Sequence, residues 1–235
     1  MEDTLGSTRS APASAPGLRE PLLQTALRYV EDRHWEVAPG TWLVEDDGPL
    51  RCSCGDLGCP APGAHPAGAG AAAGAGRKGS ASPASVRRWW TEHPEAAILL
   101  PTGRTFDVID VPEVAGCLAL ARMERMGVQL GPVVAMPGLG TAGRRLLFLV
   151  LTGSLAQLPE MLRHSGWPPG RLDLIGRGEG GWIVAPPSRV GQYSFAQWAR
   201  EPTALNRWLP EAAELISPLA YACGREAPAL RRAPH

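Results

Sequence analysis

Three cysteines and a histidine crowd into fourteen residues: Cys52, Cys54, Cys59 and His65, in the run RCSCGDLGCPAPGAHP. Thiolate and imidazole are the ligand types that close a tetrahedral structural zinc site, and a Cys3His set leaves no open position for catalysis. Between them stand Gly55, Asp56, Gly58, Pro60, Pro62 and Gly63, turn formers that let the chain wrap an ion. A segment this polar and rich in Gly and Pro has no apolar core in which to hide thiols, which favours a metal over three bare cysteines beside an incidental histidine. The single residue between Cys52 and Cys54 makes this step tighter than the common two-residue knuckle. The expectation is one structural Zn2+ on Cys52, Cys54, Cys59 and His65, tying down a loop at 51–66 that could not fold alone.

The elements around this loop are read from periodicity. Pro21 opens a helix in which Leu23, Leu27 and Val30 recur at helical spacing, and residues 35–44 read as one or two short strands. A second helix starts at Ser82-Pro83 and carries Val86, Trp89, Trp90 and His93 on one face. Strands follow at 96–100, 106–111, 133–136, 144–151, 171–176 and 181–187. They are interleaved with a helix at 112–127, facing inward with Val114, Cys117, Leu120 and Ala121, and another at 154–164. Strands alternating with helices predict an α/β or α+β sheet domain over 19–223. Residues 1–18 read as a disordered tail, 67–81 as a flexible Gly/Ala linker and 224–235 as a C-terminal tail.

Composition limits the functions open to such a domain. The chain has 235 residues, 44% hydrophobic and 20% charged, with 23 basic and 23 acidic side chains. Zero net charge excludes a general nucleic-acid coat, so any such contact is local, at Arg87-Arg88 or Arg144-Arg145. No apolar run approaches the roughly 20 residues of a membrane span, and the N-terminus lacks a secretory pattern, so no membrane partner and a cytoplasmic location are expected.

Several pieces stand in a telling order. HWEVAPG comes first, then the Cys-x-Cys…Cys…His-Pro segment and a helix bearing Arg87-Arg88-Trp89-Trp90. Pro101-Thr102-Gly103, VIDV, GRRLLF, LDLIG and GGWIVAPPS follow. In this order the chain resembles the bifunctional DNA primase/polymerase (prim-pol) N-terminal domain family over about residues 22–198. It implies an archaeo-eukaryotic primase-like fold: an RRM-like mixed sheet beside a smaller α/β lobe. It also implies template-directed nucleotidyl transfer by two Mg2+ or Mn2+ ions, with a nucleoside triphosphate and DNA as partners. Carboxylates two residues apart on a strand project from one face and can share such ions.

Carried over residue by residue, the family pattern is incomplete. Its first acid falls on Asp110 and its third on Asp173, but the second falls on Pro112, which offers no ligand. Glu113 and Asp107 have the wrong parity to replace it. The family histidine falls on Arg145, a bidentate phosphate ligand that repels cations. Arg144, Arg145 and Ser188 are thus the phosphate-binding candidates, and Asp110 with Asp173 the catalytic ones. The plain alternatives are that Asp110 caps a helix, Arg144-Arg145 is a solvated pair, and Asp173 bridges to Arg171 or Arg177. The expectation is a divergent prim-pol domain that binds nucleotide and nucleic acid, with synthesis weak or lost. Without a phosphate-binding helicase loop in the sequence, unwinding falls to a separate partner. The rival reading is a non-catalytic regulatory or scaffold protein that keeps only the fold.

Overall fold

The computed structural model describes residues 21–45, 50–67, 79–138 and 143–230. The expected tail at 1–18 and the glycine–alanine stretch at 68–78 lie outside them. The described chain runs α1 (Leu22–Arg33), β1 (Ala38–Pro39), β2 (Leu43–Val44), β3 (Arg51–Cys52), α2 (Pro83–Glu92), β4 (Ile98–Pro101), β5 (Asp107–Pro112) and α3 (Glu113–Arg125). It continues through β6 (Val133–Met136), β7 (Arg145–Val150), α4 (Leu158–His164), β8 (Ile175–Arg177) and β9 (Trp182–Val184). Last come β10 (Arg189–Val190), β11 (Ser194–Phe195), β12 (Gln197–Arg200), a 3-10 turn at Ala204–Asn206 and α5 (Ala212–Leu230).

Two sheets carry the fold, one of five strands in the order β12-β6-β7-β5-β8 and one of three, β1-β4-β9. Every pairing in both is antiparallel. The hairpins β2–β3 and β10–β11 stand apart from them. Strand alternation gives the larger sheet two buried faces. Val108, Val134, Leu147 and Leu149 join a core with β4, β9, α1 and α2. Ile109, Val111, Val133, Leu146 and Phe148 join another with α3, α4 and α5. In the first core Trp35 meets Phe106 edge-on at 5.3 Å, and the indole N–H of Trp90 donates to the Ala96 carbonyl at 2.9 Å. Trp89 and Trp90 are both buried, although adjacent helix positions cannot point the same way.

The mixed α/β class agrees with the sequence reading, while several elements differ. α3 buries Ala115, Gly116, Ala119 and Met123, not the face with Val114, Cys117 and Ala121. A side chain at Gly116 would lie 2.8 Å from Leu146 Cβ, so at its N-terminal turns the helix sits too close to β7 for anything but small residues, and a large one, Met123, faces inward only farther along. β8 begins at Ile175, four residues later than the strand read at 171–176, which leaves Asp173 in irregular chain. β10, β11 and β12 have no counterpart in the sequence reading. Nor does α5, which runs through Cys223 to Leu230 where a tail is expected. Among the described residues no helix is long and apolar enough to cross a membrane.

Asp107 points to the helix-covered face. One carboxylate oxygen accepts the Gly153 N–H at 2.9 Å, and the other is buried without a partner among the described residues. Burial raises its pKa above the ordinary carboxylate value, against the opposing pull of the Gly153 and Leu155 N–H groups. A raised carboxylate pKa means the folded state holds its proton more tightly than the unfolded state, so stability falls as pH rises through that folded value. Asp107→Asn is expected to remove this fall. In urea titrations from pH 4 to pH 7 the variant should gain on the wild type as pH rises; a gap that is flat or narrows would contradict this.

Candidate functional site

The Cys/His loop is built on β2 and β3. Leu43 pairs with Cys52, which places that cysteine at the loop's root. Gly55 and Gly63 take positive φ (80° and 71°), turning the chain back on itself. Thr41 fixes the far end, its N–H donating to the His65 carbonyl at 2.8 Å. As a result the ligand atoms of Cys52, Cys54, Cys59 and His65 all lie within 4.8 Å of one another. His65 Nε2 is 3.3 Å from Cys52 Sγ and 3.4 Å from Cys59 Sγ. A tetrahedral ion with metal–sulfur bonds of about 2.3 Å sets its ligand atoms roughly 3.5–3.8 Å apart, so these four fit one.

Protons agree with that fit. His65 Nδ1 faces the Pro66 carbonyl at 3.1 Å, and a carbonyl only accepts, so Nδ1 carries the hydrogen and Nε2 keeps its lone pair for a metal. Burial opposes ionisation of Cys52, but the Cys54 and Gly63 N–H groups, the Thr41 hydroxyl and the Cys54 thiol outweigh it and bring the thiol down to about 6. Burial and the neighbouring sulfurs push Cys59 up to about 12. A bound divalent ion would favour the thiolate form of all three cysteines. Among the described residues this is the one group of three or more Cys, His, Asp or Glu side chains placed to share an ion.

Asp110 sits on β5 facing the first core, its side chain 1% exposed. On β7, Arg145 lies diagonally beside it and donates from Nε to Oδ1 at 2.7 Å. On β8, Arg177 lies diagonally on the other side and donates to Oδ2 from Nε at 2.9 Å and Nη2 at 2.5 Å. Arg145 also reaches Asp173 from Nη1, 2.8 Å and 2.7 Å from its two oxygens. Burial disfavours the Arg145 charge, but Asp173 and Asp110 more than compensate and hold its pKa above the usual guanidinium value. Two carboxylates and two guanidiniums make the group neutral.

Asp110, Arg145 and Arg177 line one end of a cleft of about 210 Å³, and Asp173 reaches it only through Arg145. Trp182, Ile183 and Val184 of β9, with Leu147 and Met136, make an apolar wall; Ala61 and Ala64 of the Cys/His loop line it as well. Sequence reasoning missed this wall, which comes from the smaller sheet. It named Arg177 only as a neighbour for Asp173, whereas the register with β5 gives it to Asp110. Arg144 is exposed and pairs with Glu113 at 3.0 Å. Ser188 is fully buried and its hydroxyl accepts the Ile98 N–H at 2.8 Å; it holds β4 and is not among the cleft residues.

The family model for the N-terminal domain of bifunctional DNA primase/polymerase matches residues 26–208. The chain belongs to this family. No curated protein and no solved structure matches it. In this prim-pol domain the pair of divalent ions that the family implies does not fit the arrangement. Both Asp110 oxygens are engaged by arginines, and Arg145 puts a positive charge between the Asp110 and Asp173 carboxylates.

Two expected outcomes follow from this geometry. Elemental analysis should find one tightly held, thiolate-preferring metal per chain, and Cys59→Ala should lose it; metal-free wild-type protein would refute the site. Asp110→Asn should destabilise the fold by about 3 kcal/mol, because it strands two guanidiniums around a buried neutral group. Urea unfolding measures this, and a change below about 0.5 kcal/mol would show that the pair carries little.

Proposed function

We propose that this prim-pol domain binds a nucleoside triphosphate in the cleft, and nucleic acid beside it, while two-metal nucleotidyl transfer is weak or lost. One observation carries the reading: the carboxylate expected to hold catalytic metal is bonded on both oxygens to guanidiniums, at the end of an apolar-walled cleft. A nucleotide has the matching halves, an apolar base face and a polyanion. Arginine presents its donors in a planar fork suited to phosphate oxygens. Arg145 is the first phosphate ligand, with Arg177 beside it, and exposed Arg144 is placed for a nucleic-acid backbone. Chemistry would need an ion at Asp110, and that ion would meet the Arg145 charge at close range.

The Cys/His group is best read as a structural Zn2+ site. Zinc takes four such ligands without geometric strain, and a Cys3His set keeps none open. Its part in function is indirect, since the loop it ties supplies Ala61 and Ala64 to the cleft. The five-stranded sheet with α3 and α5 on one face supports the RRM-like core that the family implies. Duplex unwinding would fall to a helicase outside residues 26–208.

Calorimetry with dATP and primer extension with Mg2+ or Mn2+ separate binding from chemistry. Binding is expected in the wild type, weakened at least tenfold by Arg145→Ala, with extension undetectable. Pro112→Asp combined with Arg145→His should gain Mn2+ binding. Robust extension by the unaltered protein, abolished by Asp110→Ala, would overturn the reading; equal dATP affinity in wild type and Arg145→Ala would remove the proposed phosphate ligand.

A further inference from the structure

The two carboxylates on Arg145 are held very differently. Asp110 is 1% exposed and receives donors from two arginines on two strands, so its charge is the fixed counter-ion of the site. The Asp173 side chain is 57% exposed, and both its oxygens accept from one guanidinium nitrogen, Arg145 Nη1. It lies in irregular chain between Gly170, with φ 78°, and the start of β8, while Leu172 beside it is buried. The backbone there is anchored by its apolar neighbour and not by the carboxylate. Arg145 itself is 21% exposed, and Asp173 caps one of its two terminal nitrogens. A carboxylate on a guanidinium edge is the same kind of ligand, at the same donor spacing, as a phosphate group.

We infer that Asp173 is an internal competitor for the anion site: it occupies the Arg145 edge that a triphosphate would take, is displaced when the triphosphate binds, and so sets the affinity of the cleft. This rests on the nucleotide-binding reading above and adds the residue that tunes it. With Asp173 in place the quartet is neutral. With Asp173 turned out to solvent, two guanidiniums face one buried carboxylate and the site is left with one net positive charge for an incoming polyanion. The exchange is feasible because an ion pair to an exposed carboxylate contributes little, whereas the pairs to buried Asp110 persist. A metal-ligand role for Asp173 makes the opposite prediction, since its removal would then weaken triphosphate binding in the presence of Mn2+.

Calorimetry with dATP and with inorganic tripolyphosphate, each with and without Mn2+, tests this on the full chain. Asp173→Asn and Asp173→Ala should both tighten binding of both probes by about fivefold, the scale of one exposed charge pair. Asp173→Glu should stay within about twofold of wild type, and so should Glu113→Gln, which neutralises an acid paired to Arg144 instead. Unchanged or weaker binding in both neutral variants overturns the inference, and weakening confined to Mn2+ assigns Asp173 to a metal. If Arg145→Ala loses dATP while Asp173→Asn equals wild type, the competitor idea alone falls. If Arg145→Ala binds as well as wild type, the nucleotide site falls with it.

Discussion

β5 is an interior strand of a sheet covered on both faces, and Asp110 lies on it with almost no access to water. A bare carboxylate there would cost several kcal/mol in lost hydration, so the strand can carry it only if opposite charge is brought to it. Antiparallel register does this. With Asp110 opposite Leu147 on β7 and Ile175 on β8, the diagonal positions are Arg145 and Arg177. Slipping either strand by one residue would turn its arginine to the helix-covered face, where the second core has no place for a charge. The ion pairs and the hydrophobic alternation thus specify one register together, and the cleft inherits its shape from it.

Around this centre the packing distances are set by small residues. Gly116 lets α3 approach β7, and Gly224 lets α5 lie against the Trp167 ring. Gly103, at φ 91°, lies against the backbone of Glu179 where a side chain would not fit; Thr102 beside it donates to the Gly178 carbonyl at 2.6 Å. That contact holds the turn between β8 and β9, and so relates Arg177 on the larger sheet to the apolar wall on the smaller one. The Cys/His loop closes the cleft from a third direction. It has few apolar side chains of its own, and an ion shared by four side chains that lie within 4.8 Å of one another would supply the cohesion that a core gives elsewhere.

In this prim-pol domain Asp110 and two arginines stand at one end of a cleft between two sheets. The function proposed for it turns on two positions. Proline at 112 ends β5 and has no side-chain oxygen to offer an ion, and arginine at 145 brings a donor to Asp110. Both residues bear on one charge balance, one by withholding a negative charge and the other by adding a positive one, and that shared direction is why binding and catalysis are proposed to part company here.

The sequence by itself determined the mixed α/β class, most strands of the larger sheet, the four ligands of the Cys/His loop and the family. Each rests on local information: hydrophobic alternation, turn residues at short spacing, or the order of short motifs. The parity argument that put Asp107 and Asp110 on opposite faces is also local, and the two faces of β5 bear it out. Tertiary structure alone decided which face of α3 is buried, because that depends on how closely a helix approaches a sheet, and apolar size pointed the wrong way. It alone assigned Arg177 to Asp110, since that partnership needs the pairing of two strands 67 residues apart. The apolar wall from β9 and the burial of Ser188 were decided the same way. Long-range register and inter-sheet packing leave no periodic trace in a single chain, and the cleft is made almost wholly of them.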